Sequence, residues 1–250
     1  MTRGPWRQGD DRRVVLDQPV RLGDVTPRRR LRLDAVARYL QDVASDDGDD
    51  AMLPPGAGWI LRRVDLVIDQ LPGLGASVVL ETRCTGIGVG ARWAERTTTI
   101  TGAGADDGDV ALTARAVWVY VDLVTGAPRV LPAEFFAVYG DDVREHRVSA
   151  RLTLPKVDRA AVGVSWPLRR TDIDVFGHVN NANYWSAVEE SLGRDGAGRR
   201  ISGATIEFGG GIAPDEHCDV AEHVEDAATV FWFRVGEDTR ATARVSFAPS

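Results

Sequence analysis

The chain has 250 residues, 44% of them hydrophobic and 27% charged, with a formal net charge of −7. That length suits one large domain or two small ones with a sizeable core, and the acidic balance argues against nucleic-acid binding. No apolar run reaches the ~18 residues of a membrane span, Met1 to Asp11 lacks the apolar core of a signal peptide, and Cys84 and Cys218 make no disulfide framework. The expectation is a cytoplasmic protein. Lys156 is the only lysine among 30 basic residues. This is a coding bias expected of a GC-rich genome, so arginine numbers here say little about guanidinium chemistry.

In chain order, Gly23 to Arg30 reads as a turn. Leu33, Val36, Leu40 and Val43 then repeat at helical spacing. Ser45 to Asp50 is acidic and broken by Gly48, which predicts that the helix ends there. Four strand-like segments follow near 59–69, 76–86, 90–101 and 109–122. In the last, Val110, Leu112, Ala114, Ala116, Trp118 and Tyr120 share one face. Gly86-Ile87-Gly88-Val89-Gly90 has the look of a phosphate loop, but it joins two strands and reads as a hairpin. Residues 138–163 lack periodicity and read as a linker. A second turn at 170–180 leads into a helix at 181–192, where Trp185, Val188 and Leu192 line one face. Residues 194–200 read as a loop, and strands follow near 201–208, 217–224, 227–235 and 239–247. One helix followed by about four strands, twice over, predicts an α+β chain with antiparallel sheet.

The second turn carries the chemistry. From Thr171 to Trp185 the sequence packs Asp172, Asp174, His178, Asn180, Asn181 and Asn183 beside a helix start. Asx residues favour turns and helix N-caps for backbone reasons alone. A carboxylate, an imidazole and the unpaired N–H groups of a helix N-terminus are also what hydrolysis of an acyl group needs. Asp174 can activate water or attack the carbonyl directly, and the residues do not choose between these routes. His217, Cys218 and His223 match no zinc spacing, so neither metal nor cofactor is expected.

The string Asp174-x-x-Gly177-His178-Val179-Asn180-Asn181-x-x-Tyr184 resembles the active-site loop of hotdog-fold thioesterases. Tyr39-Leu40-Gln41-Asp42-Val43-Ala44, Trp59 to Leu66, Ala116 to Asp122 with Thr125-Gly126 and Arg129, and Ala204 to Phe208 are similar to segments of plant and bacterial acyl-acyl-carrier-protein thioesterases. The resemblance implies a double hotdog: two tandem units, each a curved antiparallel sheet wrapped round a central helix. Residues 12–137 would form a scaffold and acyl-pocket unit, 138–163 a linker and 164–250 the catalytic unit. It implies hydrolysis of acyl-carrier-protein or coenzyme A thioesters, with Asp174, His178, Asn180 and Asn181 catalytic and Phe176 and Val179 at the substrate. The expected assembly is a monomer or a homodimer. Arg169, Arg170, Arg199 and Arg200 are candidates for docking an acidic carrier protein. Two other readings stay open: an acyl-thioester-binding protein without turnover, and a hotdog hydratase or dehydratase. The chain departs from the plant pattern at Phe176, where an Asn is expected, and at Gly211 and Ile212, where a Glu-Cys pair is expected. In the first half, aligning Asp24 with Asp174 sets Arg28 opposite His178.

Overall fold

The computed structural model describes residues 12–51, 54–102, 110–157, 161–194 and 199–249. The expectations for Met1 to Asp11 and for the middle of the 194–200 loop fall outside them. The strands are β1 (Val14–Pro19), β2 (Ala57–Ile68), β3 (Ser77–Gly88), β4 (Trp93–Thr101), β5 (Val110–Asp122), β6 (Arg147–Val148), β7 (Gly163–Trp166), β8 (Ile201–Phe208), β9 (Cys218–Val224), β10 (Ala228–Val235) and β11 (Asp238–Phe247). The helices are α1 (Leu33–Ala51), α2 (Ala133–Tyr139) and α3 (Asn181–Arg194). All the strands join one 11-stranded sheet in the order β1-β3-β4-β5-β2-β8-β11-β10-β9-β7, with β6 beside β3.

The halves meet at an antiparallel β2–β8 pair running from Arg63 opposite Glu207 to Val67 opposite Gly203. Strand alternation turns Val64 and Leu66, Ala114 and Ala116, Ala204 and Ile206, and Ala243 and Val245 to one face. There they are buried in a single cluster with Val36 and Val43 of α1 and Val188 of α3. Both long helices therefore lie on the same side of the sheet and touch each other. The expected α+β architecture is present, with the antiparallel strands of the two halves joined in one sheet and short β6 added parallel to β3.

Helix α1 does not end at Ser45 but continues to Ala51. The reason is Asp47, which is 1% exposed and faces inward. Arg12 donates to it at 2.9 Å, the Tyr139 hydroxyl at 2.9 Å, and Arg96 pairs with it at 2.6 Å. An acidic residue that reads as a solvated helix end is thus an internal partner. Strand β1 was not expected either; it is a six-residue edge strand that ends on Pro19, which has no N–H to donate. Short α2 packs Phe135 and Tyr139 over Trp59 and Tyr120 as a second, aromatic cluster. Gly88 is not loop but strand. A Cβ there would lie 1.9 Å from the Trp93 indole, whose Nε1 donates to the Val148 carbonyl at 2.9 Å.

Residues 151–157 run along the outer face of the sheet. Glu207, 2% exposed, accepts the Thr153 N–H at 2.7 Å and the Leu154 N–H at 2.9 Å. Trp232 Nε1 donates to the Pro155 carbonyl at 2.8 Å. These side chains anchor a strap without helical or strand period. Glu207 accordingly points away from both helices.

Asp47→Ala should destabilise the protein by about 3–5 kcal/mol, because the buried Arg96 guanidinium would lose the carboxylate it pairs with. Urea denaturation followed by tryptophan fluorescence measures this directly.

Candidate active site

A short 3-10 turn, Arg170–Asp172, leads into a tight hairpin in which Ile173 bridges Val179. The Asp174 N–H donates to the His178 carbonyl at 2.9 Å, and the Gly177 N–H to the Asp174 carbonyl at 3.0 Å. Gly177 takes φ +78°, as such a turn requires. The Asp174 carboxylate accepts the Phe176 N–H at 2.9 Å, so one of its oxygens is fixed by the turn itself. Asn180 then caps α3: its side-chain oxygen accepts the Ala182 N–H at 2.9 Å. The Val179 N–H donates to the Ile212 carbonyl at 2.9 Å, tying the hairpin to the chain that leaves β8.

The two aspartates of this turn differ sharply. Asp172 is 2% exposed, is held by the Arg169 guanidinium at 2.8 Å and accepts the Arg169 N–H at 2.8 Å. Asp174 is half-buried and has no ion pair among the described residues. His178 is exposed, and its ring lies against Gly211, where a Cβ would come within 2.6 Å of the imidazole Cδ2. Gly211 and Ile212 do sit beside the motif, but Ile212 is fully buried in the main core and neither offers a polar side chain. Tyr184 is buried among Trp166, Phe208 and Phe233. Burial, reinforced by nearby acidic groups that include Glu216 and Asp174, pushes its hydroxyl pKa up and keeps it protonated. Glu216 is itself fixed by the Ala213 N–H at 2.7 Å and by Arg240 at 2.9 Å. Burial holds the Cys218 thiol up at about 12 and the Cys84 thiol up at about 11, so neither is a thiolate near neutrality.

An apolar cavity of about 30 Å³ opens beside the start of α3. Asn181 and Trp185 of α3, Gln41 of α1 and Trp118 of β5 line it, and it reaches Arg96 and Thr98 on β4. It is narrow, with room for about two water molecules. A more open cleft of about 480 Å³ lies on the first half, around Arg83, Arg115, Glu95 and His146, and shares no residue with the motif.

The first half contains a matching turn, but not in the expected register. Leu22–Asp24 forms a 3-10 turn in which Asp24 accepts the Arg21 N–H at 2.9 Å, as Asp172 accepts that of Arg169. Val25 bridges Leu31 as Ile173 bridges Val179. The Thr26 N–H donates to the Arg30 carbonyl as that of Asp174 does to His178. Arg29 has φ +66°, matching Gly177. One constant offset thus sets Asp24 opposite Asp172, Thr26 opposite Asp174 and Arg30 opposite His178. This corrects the alignment of Asp24 with Asp174 and Arg28 with His178, which slipped by two residues because it followed the more prominent aspartate. The first turn therefore has neither a carboxylate nor an imidazole where the second has both. Asp24 is a structural acid there, accepting the Tyr39 hydroxyl at 2.8 Å and Arg38 at 3.1 Å.

The remaining residues singled out in the sequence are scattered. Phe176 is 64% exposed at the hairpin tip, whereas Val179 is 3% exposed and belongs to the core. Arg169 and Arg170 flank the hairpin. Arg199 lies over the Phe247 ring at 4.1 Å and Arg200 donates to the Asp69 carbonyl at 3.0 Å, both at the far end of β8. Gln41 and Tyr184 were not marked as site residues in the sequence. The offset between the two turns is the signal that would have brought Gln41 forward, since it carries Gln41 onto Glu189.

Among the described residues no helix is long and apolar enough to cross a membrane. The acyl-ACP thioesterase N-terminal domain model matches residues 17–139, and the C-terminal domain model matches 156–247. An uncharacterized protein of Mycobacterium tuberculosis is 30% identical over 223 residues, which is 88% of this chain and 86% of the relative. The chain is similar in fold to the 12:0-ACP thioesterase of Umbellularia californica, at TM-score 0.80 and 19% identity, over 95% of this chain and 98% of the other. An acyl-ACP thioesterase of Bacteroides thetaiotaomicron gives TM-score 0.80 at 16% identity, over 94% and 98% of the two chains. The double hotdog read from the sequence is therefore the observed fold, and with both domain models covering most of its length the chain belongs to the acyl-ACP thioesterase family, a family of thioester hydrolases.

Proposed function

We propose that the protein releases an acid from an acyl thioester carried on acyl carrier protein or coenzyme A, with Asp174 as general base. One observation carries this role: of the two aspartates in the turn, Asp172 is tied to an arginine and Asp174 is not. In this reading a water gives its proton to Asp174 as its oxygen adds to the carbonyl carbon. The C–S bond then breaks, and the proton passes to the departing thiol. His178 orients the water, and the start of α3 at Asn180 and Asn181 faces the carbonyl oxygen as negative charge develops there. A thiol leaving group has a pKa of ~8.5, so it departs with little assistance. The acyl chain enters the cavity beside Asn181 and Trp185. Anything longer than a few carbons requires Leu40, Trp118 or Trp185 to swing aside, given the ~30 Å³ present.

Residues 12–137 then serve as scaffold and acyl wall, 138–163 as linker and 164–250 as the catalytic unit, in a cytoplasmic monomer or homodimer. Of the four arginines considered for carrier docking, Arg170 is the best placed, being exposed beside the hairpin. Arg169 is committed to Asp172.

Asp174→Asn should lower kcat by about 10³-fold while leaving Tm unchanged, because an amide oxygen still accepts the Phe176 N–H. His178→Ala should lower it by about 10–100-fold. Thiol release from acyl-pantetheine and acyl-carrier-protein substrates reads both, and full activity in Asp174→Asn would remove the assignment. The same assay separates the rival readings, since a binding protein or a hydratase releases no thiol.

Cys218→Ser should keep its kcat, and alkylating agents should inhibit weakly, because the thiol is buried and protonated. Inactivation in proportion to labelling of Cys218 would restore a cysteine mechanism.

Arg170→Glu should raise KM for an acidic carrier-protein substrate about tenfold at low salt and leave KM for acyl-pantetheine unchanged. A loss shared by both substrates would place Arg170 in the fold rather than in docking.

A further inference from the structure

Helices α1 and α3 each reach the other's N-terminus. The offset that matches the two turns carries Leu33 onto Asn181, the first residues of the two helices, and Gln41 onto Glu189, which lie at corresponding depths within them. At the start of α1, Glu189 of α3 accepts the Leu33 N–H at 2.8 Å and binds Arg30 through both carboxylate oxygens, at 3.1 and 2.7 Å. A carboxylate from the opposite half thus fills that helix N-terminus. Arg32, which holds the cap position there, has no side-chain acceptor to offer.

The start of α3 is arranged differently. Asn180 caps the helix through its own side chain, and Gln41 donates its Nε2 to Asn180 Oδ1 at 3.2 Å instead of occupying the end. The place next to Asn181 that corresponds to the Glu189 carboxylate has no protein acceptor among the described residues. It opens into the cavity that both Asn181 and Gln41 line. An amide nitrogen carries two hydrogens, and only one is used on Asn180. The Glu189 carboxylate, seated in the first half, therefore marks where a negatively charged oxygen sits in the second.

We infer that Gln41, a residue of the first half, is a catalytic residue of the second: its remaining Nε2–H and the Asn181 N–H together bind the thioester carbonyl oxygen as it becomes an oxyanion. The inference rests on the thioester-hydrolase reading. It assigns the neutral amide at position 41 a chemical purpose, since a carboxylate there would occupy the oxyanion position as Glu189 does and repel the charge formed in the reaction.

The test compares Gln41→Ala, Gln41→Glu and Glu189→Gln with the wild type on acyl-pantetheine, with Tm and circular dichroism recorded for each. Gln41→Ala removes one donor and should lower kcat about 10²-fold with KM nearly unchanged. Gln41→Glu should fall further still, with its fold intact. Glu189→Gln should lose Tm and keep its kcat, because its carboxylate only holds the start of α1. Wild-type kcat in Gln41→Glu would overturn the inference while leaving the hydrolase reading standing. Loss of helix content in both Gln41 variants would make Gln41 a structural residue and overturn it equally. No thiol release by the wild type would sink the hydrolase reading, and this role with it.

Discussion

The pairing of β2 with β8 is the constraint from which the rest of the architecture follows. It makes one sheet of two halves and forces both long helices onto the same face, side by side. Because the pair is antiparallel, the halves are related by an approximate twofold axis through it. Each helix therefore presents its interior to the other's beginning, and residues some two turns in, Gln41 and Glu189, become neighbours of a helix N-terminus. The apolar cavity under α1 has the same origin, since it is bounded by the sheet on one side and by the first turn of α3 on the other.

Much of this was legible in the sequence. Helix and strand periods located α1, α3 and eight strands because each buries one face against a common core, and such burial writes a repeating pattern. The motif around Asp174 was legible because its residue types are unusual together. What escaped detection has a common cause. The continuation of α1 past Ser45, the strap over the outer face and the short α2 are held by isolated partners distant in sequence: Asp47 with Arg96, Glu207 with Thr153, Phe135 with Trp59. Single long-range contacts leave no period. An acidic residue reads as solvent-facing until its partner is located.

The same difficulty governs the reading of charge. Asp24, Asp34, Asp47, Asp172 and Glu207 are all occupied with arginines or with backbone N–H groups. For Asp34, burial raises the carboxyl pKa, but hydrogen bonds from Arg32 and Arg38 outweigh it and leave the value lowered. Among so many acids paired with arginines, Asp174 stands apart in having only the Phe176 N–H on its carboxylate and no ion pair among the described residues. In sequence, Asp172 and Asp174 look interchangeable; in space, an arginine three residues away is paired with Asp172 and not with Asp174.

The constant offset between the halves also bears on how such a chain can change. In a symmetric homodimer every substitution appears at both sites at once. A glutamate placed to lock one helix end would lock the other, and a helix end left open for a ligand would be left open twice. Joining the two units in one chain removes that obligation. One copy of the shared geometry can be spent on rigidity, its helix end sealed by a carboxylate from the other half, while its twin, capped by its own Asn180, has no carboxylate at the equivalent place among the described residues. A single polypeptide can in this way keep the twofold frame of an assembly and abandon its twofold chemistry.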